Sequence, residues 1–487
     1  MSVKSAARER DSLLFIGGQW RAGTGGRTLK LREPATGGVI GSVAQADEHD
    51  LDAALASIER GFTLWRRSEP GERARVLTTA AAILRSRAEE TARTITAEQG
   101  KPLGEARSEI EQSAGHFDWY ATEATRDLGR TWTDGRREFT VQRRPIGPVA
   151  AFSAWNFPAS LPARKIAPAI AAGCSILVKP AEEAPGAAVA LVNALIDAGL
   201  PPEVIALVTG DAPKIAREVI GSPVIRKITL TGSILVGREL VQLSAEHLQP
   251  LSLELGGHAP VIVLPGADVP GVARALAGAK FRNAGQVCIS PTRFFVPDRD
   301  AEEFAAHFAE TAAALTVGPG DRDGVEVGPL ANERRLRAVE SLMDDLRKGG
   351  ARVLTGGGRV ESLPGWFFEP TVVTDVSDDA RILTEEPFGP IAPVLPYRSI
   401  DEAVNRANAV EQGLAAYVFG PEDAARDVAS RLDVGMIGVN TTALAVAEAP
   451  FGGVKSSGYG REGGTEGLNE YTVAVYTQVA QQKQEGQ

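Results

Sequence analysis

The chain has 487 residues, 43 % hydrophobic and 23 % charged, which predicts an ordinary globular protein of two or three domains. Its formal net charge of −10 excludes a nucleic-acid partner and a polybasic membrane surface, and its two cysteines exclude a disulfide framework and point to a reducing compartment. Met1 to Arg10 lacks a signal-peptide core, and the longest apolar run, Ile166 to Val178, is broken by Pro168 and Gly173, so a soluble cytoplasmic protein is expected, with no membrane partner.

In chain order, Leu14 to Trp20 reads as a short strand and turn, followed by a Gly/Thr-rich loop. Asp47 to Glu98 has helical patterning divided at Glu69-Pro70-Gly71, and another amphipathic helix is predicted from about Gly104 to Thr125. Thr131 to Arg143 reads as a projecting hairpin. Strands then alternate with helices: Gly147 to Phe152, Ser175 to Val178, Val204 to Val208 and Lys227 to Leu230. That alternation predicts a parallel, doubly wound α/β sheet, whose ligands sit at the carboxyl ends of the strands. Asn156, Lys179, Gly210 and Ser233 all fall at such ends. Gly232-Ser233 opens a helix that could hold a phosphate, although Ser233 also reads as a simple helix cap. No G-x-G-x-x-G fingerprint follows a strand.

Glu254 lies in an apolar strand-like run ahead of Gly256-Gly257. A buried carboxyl must be neutralised, paired or in use, and a raised pKa would suit a general base. Cys288 follows the small-residue turn Asn283-Ala284-Gly285 and precedes a strand, which leaves its thiol both fixed and reachable, as a nucleophile requires. Helices are expected at about Ala301 to Leu315 and Glu333 to Lys348. The last strand, Tyr471 to Tyr476, has no partner in its own region and is expected to pair elsewhere, with another subunit as one option. Cys174 reads as a packing residue, and the five scattered histidines suggest no metal site.

Seven motifs, in order, resemble the aldehyde dehydrogenase superfamily: Trp155-Asn156-Phe157-Pro158, Lys179-Pro180-Ala181-Glu182, Thr231-Gly232-Ser233, Leu253 to Gly257, Gly285 to Cys288, Glu386 to Pro390 and Pro450 to Gly453. The resemblance implies Cys288 as nucleophile, Asn156 with the Cys288 N–H as oxyanion hole, and Glu254 as the base for hydrolysis. It implies an NAD site built from Trp155, Lys179, Glu182, Gly210, Gly232, Ser233, Glu386 and Phe388. Glu182 would repel a 2′-phosphate, so NAD is favoured over NADP. Glu254 also sets the chain apart from relatives that pass the acyl group to coenzyme A.

The resemblance further implies a cofactor domain of residues 1–124 and 144–253 and a catalytic domain of 254–465. Residues 125–143 and 466–487 would form an oligomerisation arm, giving a homodimer or homotetramer. The nearest branch is that of the α-ketoglutaric and succinic semialdehyde dehydrogenases, with Arg164 and Arg282 matching the pair that holds the far carboxylate. One departure is plain: Leu444-Ala445-Val446-Ala447 stands where succinic semialdehyde enzymes often place a serine. Two alternatives stay open, a dehydrogenase of uncharged aromatic or aliphatic aldehydes and a non-catalytic binding protein of the same fold. Arg282 as a structural salt bridge and Arg164 as a helix-surface charge are the bland readings of the two arginines.

Overall fold

The computed structural model describes residues 10–126 and 128–480, so the polar start of the chain and the last seven residues of the expected arm lie outside it. Two large sheets organise the described chain. The first has eight strands in the order Gly458–Tyr459, Leu251–Glu254, Lys227–Thr231, Val149–Phe152, Ile176–Lys179, Ile205–Leu207, Leu14–Ile16 and Gln19–Arg21. Its five central strands are parallel and buried, as expected for βα units that cover both faces. Register aligns their carboxyl ends: Thr231 lies opposite Glu254, Leu230 opposite Phe152, and Phe152 opposite Lys179.

The second sheet has seven strands, ordered Arg352–Thr355, Thr371–Thr374, Ile391–Tyr397, Pro291–Pro297, Ala259–Val263, Ala415–Phe419 and Met436–Val439. All its neighbours are parallel except the first pair. Cys288, Glu386 and Gly257 sit just before three of these strands, at their amino ends. The site therefore lies where the carboxyl ends of one sheet meet the amino ends of the other. Leu251–Glu254 runs through Gly256-Gly257 into Ala259–Val263 and joins the two.

The apolar run Ile166 to Val178 splits into the wholly buried helix Ser160–Ala172, a left-handed cap at Gly173 (φ 90°) and the strand Ile176–Lys179. Among the described residues no helix is long and apolar enough to cross a membrane. The break read at Glu69-Pro70-Gly71 is the start of helix Pro70–Ser86, where proline suits the first turn because its missing N–H would have no partner there. The strand Thr472–Ala480 finds its partner in the same chain, pairing antiparallel with Arg137–Pro145. That strand also pairs with Arg130–Thr133, giving a three-stranded arm with Phe139 stacked between Trp132 and Tyr476.

Candidate active site

The cysteine loop is shaped by backbone conformation. Asn283, Ala284 and Gly285 are all left-handed, with φ of 48°, 53° and 73°. For the two non-glycine residues that conformation costs about 1–2 kcal/mol each, so neighbouring contacts must hold them there. They do: the Asn283 backbone N–H donates to Glu105, its Nδ2 donates to the Asn156 carbonyl at 3.0 Å, and its Oδ1 accepts from Gln99 at 2.9 Å. A Cβ on Gly285 would collide with the Gly389 carbonyl, so the cysteine loop and the Glu386–Pro390 segment pack backbone to backbone. The Cys288 N–H finds no protein acceptor among the described residues. It is a free donor beside the thiol.

Asn156 stands on the loop after Val149–Phe152 and is buried. Its carbonyl accepts from Lys101 Nζ at 2.9 Å as well as from Asn283, and its Nδ2 donates to the Gln286 carbonyl at 3.1 Å. Lys101 pairs with Glu109 at 2.5 Å, and Glu109 also accepts from the backbone N–H groups of Ala159 and Ser160, at the start of helix Ser160–Ala172. This buried frame fixes the amide.

Glu254 is buried, and its Oε1 has no hydrogen-bond partner. Burial is the main force raising its pKa, helped by the Glu462 charge and opposed by Lys165, and the result is about 8. Lys165 Nζ bonds both Glu462 and, at 2.6 Å, Thr231 Oγ1. The Cys288 thiol is half-buried and is pushed well above its ordinary pKa, first by desolvation and then by Glu254, while Arg164 pulls it down. Glycines permit this closeness. A Cβ on Gly257 would lie 2.5 Å from the Cys288 carbonyl, and one on Gly256 would lie 2.7 Å from Glu386 Oε2. Glu386 is half-buried and raised to about 8, mainly by desolvation, with the Gly257 N–H as counterweight.

A cleft of about 580 Å³ adjoins this centre, lined by Trp155, Lys179, Glu182 and Gly232 among others. Lys179 is buried, and pairs with Glu182 at 2.5 Å. Glu182 also accepts from the Gly210 N–H at 3.2 Å. Ser233 caps helix Ile234–Ser244 through the Val236 N–H, so the cap reading of this residue holds. Phe388 meets Trp155 edge to face at 5.6 Å, which ties the cleft to the Glu386 segment.

Arg164 is not a surface charge. It is buried, donates from Nε to His116 Nε2 at 3.1 Å and lies over the Phe451 ring. Arg282 lies over Phe157 at 5.3 Å and makes no ion pair among the described residues, which removes the salt-bridge reading. Cys174 is fully buried, its thiol donating to the Tyr471 carbonyl and raised by desolvation to about 11. Sequence reading missed Lys165, Glu462, His116 and Lys101. The adjacent charges Arg164-Lys165 inside an apolar helix were the one available signal, since buried charges need partners.

Cys288 and Glu254 are thus set together beside this cleft, where two α/β sheets meet. The chain belongs to the aldehyde dehydrogenase family, whose model matches residues 20–476. It is 45 % identical over 467 residues to a 4-(hydroxymethyl)benzenesulfonate dehydrogenase of Comamonas testosteroni, covering 94 % of this chain and 96 % of that one. It is 41 % identical to a 3-sulfolactaldehyde dehydrogenase of Pseudomonas putida, over 95 % and 96 % of the two chains. Among solved structures, a succinate-semialdehyde dehydrogenase from Burkholderia pseudomallei superposes with a TM-score of 0.95 at 40 % identity, covering 99 % of this chain and all of that one.

Proposed function

We propose that the protein oxidises a small aldehyde carrying a distal anionic group, a carboxylate-bearing semialdehyde in the first reading, to its acid with NAD. The observation that carries this is the grouping of Cys288, Glu254 and the buried Arg164, whose charge acts on both. Ionised Glu254 takes the thiol proton, and the Cys288 sulfur attacks the aldehyde carbon. Asn156 Nδ2 and the Cys288 N–H then hold the oxyanion of the tetrahedral adduct. When bound, a nicotinamide dinucleotide supplies the hydride acceptor that turns the adduct into a thioester. Glu254 releases the thiol proton to solvent and then removes a proton from water as the water oxygen adds to the thioester carbon; the C–S bond breaks, the acid leaves, and the departing thiolate takes the proton back from Glu254.

The cleft suits such a dinucleotide. Lys179 and Glu182 offer a cation and an acceptor for a ribose diol, Ser233 marks a helix N-terminus for phosphate, and Glu386 stands ready for the second ribose. The Glu182 carboxylate favours NAD because a 2′-phosphate would meet a like charge. Residues 1–124 and 144–253 are read as the cofactor domain and 254–465 as the catalytic domain. The exposed Trp132 and Tyr476 of the arm support assembly into a dimer or tetramer through that sheet.

A second reading has its own support. Both curated relatives named above act, by name, on sulfonated compounds, and the apolar Leu444-Ala445-Val446-Ala447 stands where succinic semialdehyde enzymes often place a serine. A sulfonate on an aromatic spacer would present its charge to the same arginines. NADH formation with succinic semialdehyde, 4-sulfobenzaldehyde, benzaldehyde and hexanal, with NAD and NADP in parallel and Cys288→Ala as control, separates these readings. Preference for the anionic aldehydes supports the proposal, and preference for the uncharged ones contradicts it.

A further inference from the structure

Arg164 projects from helix Ser160–Ala172, and its guanidinium stacks on Phe451 with Cζ 4.3 Å from the ring centre. Such a side chain has about 2 kcal/mol of rotamer entropy to lose, so a binding guanidinium profits from being fixed in advance. Among the described residues one hydrogen bond does this, from Nε to Nε2 of His116 on helix Leu103–Glu123. Both partners are buried, with 6 % and 3 % exposure.

The bond dictates the state of the imidazole. Arginine donates and never accepts, so His116 must present a lone pair at Nε2 and carry its proton on Nδ1. Nδ1 has no partner among the described residues. A protonated ring would lose the acceptor and set a second cation against Arg164, and burial with the Arg164 charge holds the ring neutral. The two terminal nitrogens of Arg164, four N–H groups, make no hydrogen bond to the described protein and stay available to a ligand.

We propose that His116 is a positioning residue for anion selectivity: by accepting from Arg164 Nε, it turns the guanidinium fork toward the charged end of the aldehyde. This rests on the anionic-aldehyde reading above. Phe451 supports the guanidinium from its ring face, and His116 fixes the position of Nε. Neither residue touches the reacting carbon in this account.

The test is steady-state kinetics on the full chain with succinic semialdehyde and with hexanal at saturating NAD. It compares His116→Leu, His116→Gln, Arg164→Leu and the Leu/Leu double variant. His116→Leu should raise KM for succinic semialdehyde about tenfold, the scale of one lost charged hydrogen bond, with kcat and the hexanal KM unchanged within twofold. His116→Gln, whose amide oxygen can accept, should recover most of the loss. In the Arg164→Leu background the His116 change should add nothing. Equal losses for both aldehydes, or additive losses in the double variant, would overturn the proposal. A selective loss in Arg164→Leu alone, with His116→Leu silent, would sink the His116 role and leave the anion reading standing. No selective loss in Arg164→Leu would remove both. Should His116→Leu not fold, His116→Met takes its place in the same comparison.

Discussion

Burial raises both the Glu254 carboxyl and the Cys288 thiol, and the Glu254 charge pushes the thiol up further. Two acids in one desolvated site resist ionising together, so the resting pair holds its protons. With Glu254 at about 8, about one molecule in ten carries the carboxylate at pH 7. Base catalysis needs the ionised form. Turnover should therefore rise about tenfold from pH 7 to pH 9 and level off above, in a pH–rate profile taken at saturating aldehyde and NAD. A flat profile across that range would contradict the assignment.

Glu462 and Lys165 act on Glu254 in opposite senses, the first raising its pKa and the second lowering it. Replacing Glu462 with Gln removes the repulsion and frees Lys165 to act on Glu254 alone. The ascending limb of the pH–rate profile should move to lower pH, toward neutrality. A shift upward would show that Glu462 serves Glu254 mainly as a proton acceptor.

Asn156 reaches the site with its amide already fixed by Gln286, while its carbonyl is held by Lys101 and Asn283. Asn156→Ala should lower kcat about 10²–10³-fold, the loss seen when one oxyanion donor is removed. Dinucleotide affinity, measured by calorimetry, should stay near that of the wild type. A kcat within threefold would deny the amide a part in the transition state.

Gly285 combines a φ of 73° with backbone contact to Gly389. Gly285→Ala should destabilise the protein by about 2–4 kcal/mol through strain and collision, read as a drop in melting temperature. Activity should fall further than stability explains, because the loop carries Cys288. An unchanged melting temperature would mean that the loop relaxes without cost.

In the proposed cofactor site, Glu182 would face the position where NAD and NADP differ. Glu182→Ser should lower KM for NADP about tenfold or more and raise KM for NAD, since a like-charge contact goes and a ribose acceptor is lost. Parallel titrations of the two dinucleotides check this. No change in their ratio would move the discrimination elsewhere in the cleft.

Much of this was legible in the sequence, and the rest was not, for physical reasons. Period-3.6 and strand patterning are local, so helices such as Glu333–Lys348 and strands such as Lys227–Thr231 fall where expected. Cys288 and Glu254 stood out as reactive or charged groups set against glycines or an apolar run, and Asn156 by its place at the carboxyl end of a strand. Lys165 and Glu462 meet across 297 residues, and His116 meets Arg164 across 48; no local pattern encodes such pairs. The alternation in Tyr471 to Tyr476 announced a strand but not its partner, because period 2 describes faces and says nothing of edges. Helices Pro70–Ser86 and Ala88–Gln99 read as one stretch, since Arg87 alone divides them.

The central claim is covalent: the aldehyde is oxidised while bound to Cys288, and Glu254 governs its release. Intact-protein mass spectrometry of Glu254→Gln, mixed with NAD and succinic semialdehyde, tests it most directly. The account predicts a burst of NADH close to one equivalent per active site, then near-arrest, with the protein heavier by one acyl group mapped to Cys288. Steady turnover without a trapped acyl group, or an acyl group on any other residue, would contradict it.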